Sequence, residues 1–110
     1  MMLERLSLYL NRTQIANIVD RVVTRSHHAV WQRVRERAWS MTPYEARGYI
    51  RARAALVIER EMSIVLAELN DFPFVHAKLV AAAVSERLVD RTLGDVSRMR
   101  RATEPLRRAA

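Results

Sequence analysis

The chain has 110 residues, enough for one domain with a modest core. Half are hydrophobic and only two are glycine and three proline, which excludes a disordered chain and disfavours an all-β one. There is no cysteine, which excludes disulfides and thiolate metal sites, and the net charge of +7 favours anionic partners.

The first stretch, "MMLERLSLYLNRTQ", breaks its apolar character at Glu4 and Arg5 and has no Ala-x-Ala cleavage pattern, so no signal peptide is expected. Asn11 with Gln14 forms a faint capping box, which predicts a short N-terminal helix before the first long one, with a helix that runs straight on as the alternative. Long helices are predicted near 12–40, 43–70 and 73–93 or beyond. At "SMTPYEA", Thr42 can cap, Pro43 suits the first helical turn and Glu45 closes a capping box. At "NDFPF", Asn70 and Asp71 end one periodic run and Pro73 opens the next. Gly94 either ends the third helix or only weakens it, and the tail is expected to fray after about residue 104. The expected fold is all-α: one domain, 1–110, an antiparallel bundle of three long helices plus the short N-terminal one.

Periodicity assigns the faces. The first long helix carries Ile15, Val19, Val22, Val23, Val30, Val34 and Ala38 on one line, with Arg21, Arg25, His28, Gln32 and Arg35 opposite. The second carries Ile50, Ala54, Val57, Ile58, Val65 and Leu69, interrupted by Glu61. A buried carboxylate needs a partner, and equal distances from the turn bring Arg25 or Arg21 to Glu61. The third helix shows two apolar seams. One is Ala77, Ala81, Val84 and Leu88; the other is Val75, Leu79, Ala82, Glu86, Val89, Leu93 and Val96. Two seams on one helix must both be buried, so a homodimer is expected along Val75, Leu79, Ala82, Val89, Leu93 and Val96. A monomeric four-helix bundle, with the N-terminal helix over the second seam, is the alternative.

Charge is segregated along the chain. Residues 21–60 hold nine basic groups against three acidic, residues 61–90 two against five, and residues 91–110 six against two. Antiparallel folding brings both positive segments to the pole of the first turn, where Trp31, Trp39, Tyr44 and Tyr49 also lie. Arg35, Trp39, Arg47, Arg51, Arg98 and Arg101 are therefore the candidate partner-binding residues. Arginine with interleaved aromatics suits a protein hot spot, phosphate contact with base stacking, or a small anion held by guanidinium groups. The preference for arginine carries less weight: eighteen of the nineteen basic residues are arginine, a bias that GC-rich coding produces by itself.

Little else in the chain carries chemistry. His27 and His28 are neighbours, about 100° apart on a helix, and cannot share a metal as an i, i+4 pair could. No carboxylate is followed by histidine at i+3, as a di-iron bundle requires, and there is no phosphate-cradling glycine loop. The longest apolar run, Leu79 to Val84, is far short of a membrane span. The functional expectation is a cytoplasmic, non-catalytic, dimeric interaction module with no metal or cofactor, whose basic pole meets an acidic protein. A nucleic-acid-associated protein is the alternative, and a helical enzyme gripping an anionic metabolite through arginines is a more distant one.

Overall fold

The computed structural model describes the backbone of residues 2–69 and 74–109 and the side chains of residues 12–69 and 76–103. It holds three helices, α1 (Met2–Ala38), α2 (Pro43–Ala67) and α3 (Phe74–Ala109), and among the described residues no strand. Each helix packs on the other two. Cross-helix pairs fix the directions. Arg21 meets Glu68 and Arg25 meets Glu61, so α2 runs against α1. Arg51 meets Glu86 and Arg47 meets Asp90, so α3 runs against α2. Asp20 with Arg87 and His27 with Asp95 set α3 parallel to α1.

Two expected boundaries differ. No separate N-terminal helix exists among the described residues, because α1 passes Asn11 without a break. α3 passes Gly94 and is helical through Ala109, beyond the point of expected fraying. A glycine in a helix interior costs roughly 1 kcal/mol. Here Val89, Thr92 and Val96 are buried on either side of it, and packing outweighs that cost. Asn70, Asp71 and Pro73, expected to form the second turn, lie outside the described residues.

The first turn is built as its sequence dictates. Thr42 caps α2 in an extended conformation, and Pro43 follows in the first turn, where a missing N–H costs nothing. The Glu45 N–H donates to Thr42 Oγ1 and the Thr42 N–H donates to Glu45 Oε1, both at 3.2 Å.

The core is narrow and rich in valine: Val19, Val22, Val23, Val30 and Val34 from α1, Ile50, Ala54, Val57 and Val65 from α2, and Val80, Val84, Leu88, Val89 and Val96 from α3. The two seams read on α3 prove to be one broad stripe. Val89 and Val96 are buried within the single chain, so they cannot form a dimer face, and Leu93 is half-buried against the same core. Leu79, 58% exposed, and Ala82 remain outside, and the side chain of Val75 lies outside the described residues. The cause is geometric. A strict seven-residue repeat drifts by about 20° per heptad around an α-helix, so the two ends of the seam face different ways.

Candidate functional site

The arginines sort into two classes according to what lies opposite them. Most of those at interhelical edges meet a carboxylate. Arg47 lies 3.0 Å from Asp90 and Arg51 lies 2.9 Å from Glu86, which ties α2 to α3. Arg21 lies 2.6 Å from Glu68, and Arg25 Nε donates to Glu61 Oε2 at 2.8 Å, which ties α1 to α2. Arg87 pairs with Asp20, and Asp95 accepts from both His27 and Arg98. Arg12, Arg33, Arg35, Arg37, Arg53, Arg91, Arg100 and Arg101 have no carboxylate within ion-pair distance among the described residues.

Three of these, Arg33, Arg37 and Arg53, gather in one place. A groove of about 610 Å³ between α1 and α2 is lined by Arg33, Arg37, Tyr49, Ala52, Arg53 and Leu56. Arg33 and Arg37 are one turn apart on α1, and Tyr49 and Arg53 are one turn apart on the facing side of α2. The Arg53 guanidinium carbon sits 5.4 Å from the centre of the Tyr49 ring, in cation–π range. Tyr49 is itself packed against the core, and Leu56 is 69% exposed at the rim. Three cations facing one groove without anions repel one another, an arrangement that an anionic ligand relieves.

The expected patch is therefore divided. Arg47 and Arg51 belong to the α2–α3 edge and are engaged there; Arg98 is engaged by Asp95. Arg35 and Arg101 are exposed, but Arg35 stands about 200° around the helix from Arg33 and Arg37 and so points away from their groove. Trp39 is half-buried against the core, as are Trp31 and Tyr49, while Tyr44 is 88% exposed. Arg33, Arg37, Tyr49 and Arg53 were legible in principle. Two i, i+4 pairs at matched distances from a strong turn signal must face each other across a hairpin.

Arg100, absent from the expected set, does bring the C-terminal arginines to this pole. Its Nε donates to the Trp39 carbonyl at 2.7 Å, and its Nη2 donates to the carbonyls of Ala38 (3.3 Å) and Met41. These carbonyls close α1 and its turn, where helix geometry leaves acceptors without partners and the dipole is negative. A cation from the third helix satisfies both.

Electrostatics at the paired sites follow from contacts. Hydrogen bonding from Arg21, then its charge, holds the Glu68 carboxyl below its ordinary value of 4.5. Hydrogen bonds from Thr42, through its side chain first and then its backbone, hold Glu45 below the same value. Among the described residues no group of three or more histidine or acidic side chains could hold a metal ion, and no helix is long and apolar enough to cross a membrane.

Compared with family models, curated proteins and solved structures, the chain matches none. Function is therefore argued from the site alone.

A second groove lies on the opposite side of α2. It has about 630 Å³, lies between α2 and α3, and is walled chiefly by Ala55, Ile58, Met62, Leu66, Ala77 and Ala81. Alanines on both helices leave it open where larger side chains would fill it. Leu79 is exposed on α3, about 200° around the helix from Ala77 and Ala81.

Proposed function

We propose that this chain is a non-catalytic helical interaction module whose α1–α2 groove receives an acidic partner. One observation carries the reading: Arg33, Arg37 and Arg53 share a groove without a carboxylate, in a bundle where Arg21, Arg25, Arg47, Arg51 and Arg87 each meet a carboxylate on a neighbouring helix. A guanidinium presents planar donors suited to carboxylate or phosphate, so an anion placed there gains charge-assisted hydrogen bonds. The test separates the groove from net charge. Binding of poly-L-glutamate is measured by calorimetry for Arg33→Ser/Arg37→Ser and for Arg12→Ser/Arg91→Ser, two variants of equal charge. The groove pair is expected to lose about tenfold or more in affinity and the control pair little. Equal losses refute the reading and leave only a basic protein attracting an acidic polymer.

The same module is proposed to homodimerise, now through the exposed end of α3 rather than its whole length. Leu79 is exposed on the outer face of α3, and a two-fold axis beside it buries both copies of that leucine at once. Leu79→Glu should yield monomers with unchanged helicity in analytical ultracentrifugation. A wild-type monomer at tens of micromolar, an affinity worth under ~7 kcal/mol, removes this part.

A further inference from the structure

The unpaired groove also carries information about which class of acidic partner fits it, given the reading above. Single-stranded nucleic acid binds such surfaces by phosphate contact together with stacking of bases on free aromatic faces. That second element is already taken. Arg53 lies over the Tyr49 ring and Tyr49 is partly buried against the core, so the aromatic that lines this groove already has its partner, and Tyr44, 88% exposed, is not among the lining residues. What the groove offers in its place is aliphatic. Ala52 gives it a shallow wall and Leu56, 69% exposed, stands one turn further along the same helix. A nucleotide backbone gains nothing from an exposed leucine, whereas an apolar side chain does.

The spacing of the cations completes the argument. Arg33 and Arg37 are successive turns of α1, which sets their stems about 6 Å apart along the helix. Carboxylates at i and i+4 of a second helix have the same separation. A helix laid into a two-helix groove presents one row of side chains to it. We infer that the ligand of this groove is an acidic amphipathic helix. Its glutamates or aspartates at i and i+4 meet Arg33 and Arg37, and its adjoining apolar row lies on Ala52 and Leu56.

Fluorescence anisotropy with three probes of equal charge tests this. One is a synthetic helical peptide with glutamate at i and i+4 and leucine at i+3 and i+7, the second its scrambled version, the third a single-stranded DNA oligonucleotide. The amphipathic peptide is expected to bind about tenfold tighter than the scrambled one, and Leu56→Ser, a surface change, to weaken it by about fivefold without affecting the DNA. Equal binding of both peptides, with Leu56→Ser silent, overturns the helix assignment. Tighter binding of the DNA, lost in Arg33→Ser/Arg37→Ser, overturns it in favour of nucleic acid while the groove stands as a binding site. If that double variant alters binding of no probe, the groove reading falls as well.

Discussion

Glu61 and Arg25 form an ion pair whose two halves should respond unequally to removal. Glu61 lies in the apolar stripe of α2 beside Val57, Ile58, Met62 and Val65, and is 7% exposed. Its Oε2 accepts from Arg25 at 2.8 Å, while Oε1 has only Arg60 at 3.6 Å. The Arg25 side chain is 43% exposed. In Glu61→Ala the abandoned guanidinium can therefore turn to water, and the loss is that of one charge-assisted hydrogen bond with little desolvation penalty, about 1–2 kcal/mol. In Arg25→Ala the abandoned carboxylate stays nearly dry, and the cost rises to about 3 kcal/mol. Replacing both with methionine should bring stability back to within roughly 1 kcal/mol of wild type, because neither charge is then stranded. Urea unfolding followed by far-UV circular dichroism, extrapolated linearly, measures all three. If Arg25→Ala costs no more than Glu61→Ala, the unequal burial does not set the energetics and the argument fails.

Arg100→Ala should destabilise by about 2 kcal/mol, since three turn carbonyls lose a charged donor, and faster amide exchange at residues 40–46 would localise the loss. Thr92→Val should be neutral or stabilising by up to about 1 kcal/mol in thermal melts, because Thr92 Oγ1 is buried without a hydrogen bond; a clear loss would mean that the hydroxyl has a partner. Thr42→Ala should cost about 1 kcal/mol and let the Glu45 carboxyl rise towards 4.5, which carboxyl NMR titration reads directly. Glu45 and Glu68 both have lowered folded-state pKa values, so what they add to stability is present above about 4.5 and lost as pH falls through those lowered values.

The helical character, the turn at Thr42 and most of the α1 and α2 core were legible, because each rests on a local signal: a capping box, a proline, a spacing of three and four. The placement of Arg25 beside Glu61 follows from counting outward from that turn, and the structure has the two in contact. The α3 seam and the basic patch did not read through. Val89 and Leu79 look equivalent by spacing, yet they stand about 80° apart around the helix, and one turns inward while the other stays out. Arg47 and Arg37 look equivalent by charge, and only the position of α3 decides that one faces Asp90 and the other faces an empty groove. Arg100 belongs to the same class. Nothing near it in sequence marks it, because the carbonyls it serves lie about sixty residues earlier.

That distance has a consequence for how the chain comes together during synthesis. Everything that α1 and α2 contribute to each other has been made once Leu69 leaves the ribosome, so the hairpin can close while α3 is still being translated. In its bend the Ala38 carbonyl already accepts from the Met41 N–H, but the carbonyls of Trp39 and Met41 gain their charged donor only when Arg100 emerges. The last helix to arrive therefore ties down the bend of the hairpin it joins. The groove between the hairpin's arms, which Arg33, Arg37 and Arg53 line, opens off a turn that is completed by a residue outside it.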